Sequence, residues 1–187
     1  GQILTLTGHI LVAVLIIEAL GAFVLWLNWL PLFGPGPAAY QAIFHSVSAF
    51  TNSSFDLFAG SPTAEAGFPT DSLTLLTLAG LIFLGGIGIP VIADIARFRR
   101  RHRVSLHTRI TLTTAGALIA IGTVLFFITE SRLSSAFAGE PPGRLLLLSF
   151  FHSVGSRTAG FAVSAQFGQL AAANGFLLTL LMFIGAS

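Results

Sequence analysis

The chain has 187 residues, of which 54% are hydrophobic and only 9% charged, with a mean hydropathy of +0.88. A soluble domain carries about a quarter charged residues, so a soluble fold is excluded, and the absence of cysteine removes disulfides, thiolate metal sites and thiol redox chemistry. Nine arginines and no lysine give a formal charge of +2 and a pI near 10.5. Spread over a soluble surface they would point to nucleic acid, but Arg97, Arg99, Arg100, Arg101, Arg103 and Arg109 crowd between apolar runs. Basic clustering beside membrane segments sets topology, and no nucleic-acid partner is expected.

Residues 1–7 carry neither the charged start nor the cleavage site of a signal peptide, and without an initial Met the chain reads as an excerpt of a longer one. Ile10 to Leu27 is apolar except for Glu18 and leads to Trp26 and Trp29, residues typical of a membrane interface, so a first span is predicted. Mid-span, Glu18 is open to either a helix-to-helix hydrogen bond or an ion-pathway role. Ala38 to Phe50 is too short to cross a bilayer and is predicted to be a re-entrant helix. Leu73 to Ala96 is expected to cross once. Its glycines at positions 80, 85, 86 and 88 read as close-packing positions rather than as a hinge, the alternative they leave open, and Pro90 is tolerated in a membrane helix. Ile110 to Ile128 is a third span with Thr as its only polar relief, and Leu145 to Val154 a second short helix. A fourth span begins near Ala171 and is cut off at Ser187.

A repeat organises these pieces: Phe44-His45-Ser46-Val47 returns as Phe151-His152-Ser153-Val154, 107 residues later. Downstream, Asn52-Ser53-Ser54-Phe55 answers Thr158-Ala159-Gly160-Phe161. The fold class is therefore all-α integral membrane, built from parallel repeats of transmembrane helix, re-entrant pore helix with filter loop, and transmembrane helix. The units run over residues 1–97 and 110–187, the second truncated in its last helix, with an Arg-rich linker at 98–109. The positive-inside rule makes that linker cytoplasmic, so the short helices dip in from the outer face.

Such a pattern suits cations. An ion leaving water for hydrocarbon loses on the order of tens of kcal/mol of solvation, and non-helical backbone at membrane depth can replace that water with carbonyl oxygens. A short helix entering from outside also points its partly negative C-terminal end toward the bilayer centre. Gly160, free to adopt positive φ, lets successive carbonyls face one way. The His-Ser pairs at 45–46 and 152–153 lack an acid at triad spacing, so packing or hydrogen bonding is the expected role of His45 and His152. Arg157 must face protein or water, where it braces a filter, sets local charge or forms a structural ion pair, and Asp56 is either a cation-concentrating charge at the mouth or an ordinary surface carboxylate. Glu18 and Asp94 are the only acidic residues within the spans and no HExxH is present, so no enzymatic activity is expected.

The segments FHSVSAFTNSSFDLF (44–58), RRHRVSLHTR (100–109), SVGSRTAGF (153–161) and LLMFIGAS (180–187) resemble the Trk/Ktr/HKT superfamily of cation transporters, most closely the membrane subunit of bacterial Ktr-type potassium-uptake systems. The resemblance covers essentially the whole chain, as the second and third of four repeat units. It implies potassium transport through a selectivity filter at Asn52, Ser53, Ser54, Thr158, Ala159 and Gly160, with K+ held by backbone carbonyls and Arg157 and Asp56 beside the pore. It also implies no cofactor, two further units on the same polypeptide, a homodimer on a cytoplasmic nucleotide-binding ring, a place in the bacterial inner membrane, and a gate beyond Ser187. Ser53 and Ser54 depart from the family's usual Ala-Gly, and plant relatives with Ser at one filter position tend to favour sodium. A sodium-permeable member of the superfamily is therefore one alternative, and a secondary transporter with discontinuous helices is another, suggested by Pro90 and the Gly-rich run.

Overall fold

The computed structural model describes residues 2–53, 55–58, 68–101, 104–133, 140–158 and 172–185, which form α-helices and, among the described residues, no strand. Helix α1 (Gln2–Phe33) contains an apolar stretch, Ile10–Phe33, of 24 residues with mean hydropathy 2.7. At 1.5 Å per residue this reaches about 36 Å, beyond the roughly 30 Å of a hydrocarbon core. Leu11, Leu15, Leu20 and Leu27 leave half or more of their surface outward, which suits lipid.

A single residue turns the chain back. Gly34, at φ 76°, is in the left-handed region, its N–H donates to the Leu30 carbonyl, and Pro35 opens α2 (Pro35–Phe50). The helix thus starts three residues before the expected Ala38 and ends at the expected Phe50. Its 16 residues reach only about 24 Å, too short to cross. Helix α3 (Ser72–Ile87) is capped by Asp71, whose carboxylate accepts the Thr74 N–H at 3.0 Å.

The run expected to cross in one piece from Leu73 to Ala96 is bent: α4 (Ile89–Arg101) leaves α3 at 100°. Gly88, at φ 81°, ends α3, and Pro90 fits only the first turn of a new helix because it offers no N–H. Helix α5 (Leu106–Leu133) is the second long apolar element, its stretch Leu106–Arg132 having 27 residues at mean hydropathy 2.0. The Ser105 hydroxyl caps it by accepting the Thr108 N–H at 3.2 Å. Helix α6 (Pro142–Thr158) is the second short helix and α7 (Ala172–Gly185) follows.

Within each unit the short helix packs between the two others, and α3 against α6 joins the units. One contact recurs. The Ser46 hydroxyl donates to the Glu18 carbonyl at 2.6 Å, and the Ser153 hydroxyl to the Ile119 carbonyl at 2.9 Å. Three residues further along each long helix stands a glycine, Gly21 or Gly122, where an added Cβ would meet that serine hydroxyl and a leucine, Leu81 or Leu181. The missing side chain is what lets the short helix approach.

The two units run in the same direction. Ile10 near the start of α1, Ile89 and Pro90 after α3, and His107 and Thr108 at the start of α5 line one cavity of about 550 Å³. There Asp94 of α4 accepts the Ser105 N–H at 2.7 Å and the Thr108 hydroxyl at 2.6 Å. At the other end the Asn28 amide of α1 donates to Asp71 at 2.8 Å, and Arg144 of α6 pairs with Glu140 at 3.1 Å and donates to the Thr70 hydroxyl at 2.8 Å.

Trp29 does not face outward. It is fully buried, its indole N–H donates to the Thr74 hydroxyl at 2.9 Å, and its ring meets His45 and Phe58 edge to face. Trp26 is only half-buried and donates to the Pro35 carbonyl at 3.2 Å.

The glycines of α3 differ sharply in their surroundings. A Cβ at Gly85 would overlap the Phe50 carbonyl oxygen at the end of α2, whereas one at Gly80 would meet nothing within 4 Å. Overpacking against backbone that cannot swing aside costs about 1–3 kcal/mol. Gly85→Ala should therefore lower the thermal midpoint of the detergent-solubilised protein and Gly80→Ala should leave it in place; equal midpoints would contradict this packing.

Candidate functional site

The sequence expectations converge on the C-terminal end of α2. Thr51 caps the helix, Asn52 follows at φ 54°, the Ser53 N–H donates back to the Ser48 carbonyl at 3.0 Å, and the Asn52 N–H to the Ala49 carbonyl at 3.2 Å. This is a Schellman cap, with Asn in the left-handed place usually held by Gly. Asn is the side chain that tolerates that place best, which accounts for its presence at the turn. Side chains reinforce it. The Thr51 hydroxyl donates to the Val47 carbonyl at 2.7 Å, and the Ser48 hydroxyl reaches across to the Phe55 carbonyl at 2.9 Å. The α2 dipole therefore ends, carbonyl end first, at a turn of fixed geometry pressed onto Gly85 of α3.

Behind the turn stands His45, fully buried. Its Nδ1 lies 2.8 Å from the Gln41 carbonyl and its Nε2 3.1 Å from Asp56 Oδ1, an oxygen that also accepts the Phe58 N–H at 2.8 Å. The imidazole is stacked on Phe58, with centroids 4.7 Å apart, and meets Trp29 and Phe68 edge to face. Both the hydrogen-bonding and the packing expected of His45 are thus present, and Asp56 is engaged by His45 rather than standing alone at a surface. His152 is buried in the second unit against Phe126 and Phe151. Glu18 contributes its main-chain carbonyl to the Ser46 contact.

On its open side α2 presents Tyr40, Ile43 and Val47 along a groove of about 440 Å³, which Phe55 lines from beyond the turn together with Ser48 and Ser53. Of the filter residues expected from sequence, Asn52 and Ser53 lie in the capped turn, and α6 continues through Arg157 to Thr158, four residues past the expected Val154. Ser54, Ala159 and Gly160 lie outside the described residues, as does Ser187. For Arg157 the helical backbone is described.

At the rim, Asp71 lies outside the helices. Burial raises its pKa, but the hydroxyl and N–H of Thr74 and the amide of Asn28 outweigh that and hold its carboxyl below the ordinary value. Among the described residues no cluster of three or more His, Asp or Glu could hold a metal ion. A helix C-terminus and the carbonyls of a turn carry partial negative charge, which attracts a cation.

Sequence comparison gives these features a family. A model for TrkH, described as a cation transport protein, matches residues 2–187. The chain is 37% identical over 183 residues to Ktr system potassium uptake protein B of Vibrio alginolyticus, covering 97% of this chain and 39% of that protein. It is 33% identical over 185 residues to potassium/sodium uptake protein NtpJ of Enterococcus hirae, covering 99% and 40%, and 34% identical over 170 residues to the Ktr protein B of Bacillus subtilis, covering 91% and 37%. The chain thus spans about two fifths of the length of these relatives. With nearly every residue matched by one family model, and two apolar helices long enough to cross a membrane, this chain belongs to the TrkH family of cation transport proteins.

Proposed function

We propose that the chain supplies two units of a potassium-uptake protein, with K+ crossing through a filter formed by the turns after α2 and α6. Asn52, Ser53 and Ser54 would line it from one unit and Thr158, Ala159 and Gly160 from the other, through main-chain carbonyls, with Arg157 and Asp56 beside the path. The observation that carries this reading is the capped end of α2, where a helix too short to cross stops in a turn built on Asn52 at positive φ. Two further units of the same polypeptide would complete the filter. A homodimer in the bacterial inner membrane, seated on a cytoplasmic nucleotide-binding ring, follows from the Ktr resemblance. The linker 98–109 would face the cytoplasm by its arginines.

A second reading is a filter that also admits sodium. It is favoured by Ser54 where the family commonly has Gly, and by the relative named for both potassium and sodium. The 100° break at Gly88 supplies the discontinuous helix of a secondary transporter, but the parallel direction of the units argues against that mechanism, whose repeats are commonly inverted.

Selectivity tests the filter. A side chain at a turn that needs positive φ costs about 1–3 kcal/mol or swings into the lumen. Gly160→Ser in the full-length transporter should lower the ratio of potassium to sodium flux in transport-deficient cells, while Ser54→Gly should preserve transport and raise that ratio modestly. Loss of transport in Ser54→Gly together with unchanged selectivity in Gly160→Ser would remove these residues from a shared filter.

Topology can be tested separately. Cysteine at Gly36, in open space at the start of α2, should react with an impermeant thiol reagent applied outside intact cells, and cysteine at the exposed Val104 should not. Labelling of Val104→Cys from outside would reverse the proposed orientation.

A further inference from the structure

We infer that His45 and Asp56 form a clamp that positions the first filter turn and thereby sets its discrimination between ions; the inference rests on the filter reading above. The two residues bracket the turn. His45 is in α2, one turn before its end, and Asp56 follows Phe55 on the far side, so their contact at 3.1 Å closes a loop around Thr51 to Ser53 and Phe55. A second closure lies inside the first, from the Ser48 hydroxyl to the Phe55 carbonyl at 2.9 Å.

The donor and acceptor inventory fixes the chemistry of the outer closure. The Gln41 carbonyl can only accept, so Nδ1 of His45 carries a hydrogen, and Nε2 faces a carboxylate oxygen. A contact of 3.1 Å between that nitrogen and that oxygen requires one proton between them, giving either imidazolium with carboxylate or imidazole with carboxylic acid. The pair is neutral in both forms, which suits a fully buried ring. Breaking it leaves a buried nitrogen without its partner, so the turn is held by more than packing.

The ring is also fixed on its faces. Phe58, held to Asp56 through its N–H, stacks on His45, and Trp29 and Phe68 close the sides. Asp56 itself is 26% exposed, so its substitution does not open the core. The second unit repeats the histidine as His152 but has Ala162 after Phe161, where the first has Asp56 after Phe55. Of the two units in this chain only the first has the acid at this sequence position, and loss of the clamp should shift selectivity without abolishing conduction.

The test compares Asp56→Ala, His45→Phe and the double variant in the full-length transporter, read as the ratio of potassium to sodium flux in proteoliposomes. Each single variant should lower the ratio about threefold or more, and because groups in contact act as one unit the double variant should lower it no further than the lower single. Asp56→Asn, whose amide can donate to Nε2 of a neutral imidazole, should retain at least half of the ratio. Asn28→Ala controls for mere destabilisation: it removes the amide bonds to Asp71 and Thr74 that tie α1 to α3, away from His45 and Asp56, and should lower the thermal midpoint while leaving the flux ratio unchanged. Should His45→Phe not fold, Asp56→Ala and Asp56→Asn carry the comparison. An unchanged ratio in Asp56→Ala, or an equal fall in Asn28→Ala, overturns the clamp. If the ratio responds to Gly160→Ser but not to Asp56→Ala, the filter stands without the clamp; if it responds to neither, the filter reading falls first.

Discussion

A helix too short to cross a membrane must be held at depth by its neighbours, because hydrocarbon offers its ends nothing to bond to. In this fold the holding contact is a serine hydroxyl set against a helix whose side chain is missing. Ser46 reaches the Glu18 carbonyl past Gly21, and Ser153 reaches the Ile119 carbonyl past Gly122. Lipid tails are as apolar as leucine, so little hydrophobic force drives helices together here, and close backbone approach with a hydroxyl bond supplies what burial supplies in water. The placement of α2 and α6, and so of the turns that follow them, depends on these two crossings.

From the crossing outward, order passes to the turn through two different materials. Toward the membrane interior, Gly85 receives the Phe50 carbonyl, fixing where the α2 dipole ends. Toward the rim, Trp29, Phe33, His45, Phe58 and Phe68 form a cluster of rings around the segment leaving the turn. Asn28, Asp71 and Thr74 tie the outer ends of α1 and α3 together above it. The turn is also held from within, since the Schellman cap takes the Ser48 and Ala49 carbonyls into its own bonds.

The spans and short helices were legible because length and hydropathy bear directly on them, and the recurrence of Phe-His-Ser-Val gave the unit before any contact was known. The bend at Gly88 was harder to read. A run that is apolar all round has no face whose rotation would betray a break, so only the Gly-Ile-Pro triplet at 88–90 carried the signal, and the same residues are tolerated in straight membrane helices. Trp29 was assigned to an interface from its position in the chain, while its burial depends on α2 and α3 folding over it. The positive φ expected at Gly160 lies outside the described residues; among the described non-glycine residues positive φ falls on Asn52, two residues past the end of α2 at Phe50, where only the preference of Asn for the left-handed region was a cue. The contact between His45 and Asp56 joins positions 11 apart through a turn, a relation that no helical or strand period encodes.

The paired crossings also bear on how the two units can drift apart. Each joins positions on different helices of one unit, so a bulkier residue at Gly21 or Gly122 would have to be matched by retreat of its own serine and leucine, three changes at once. Positions further out differ between the units: Trp29 in α1 is answered by Glu130 in α5, Gln41 by Leu148, and Asp56 by Ala162. A duplicated unit of this construction keeps its skeleton by steric veto while its rim is free to specialise, so the two halves of the chain can diverge at the rim without ceasing to be copies.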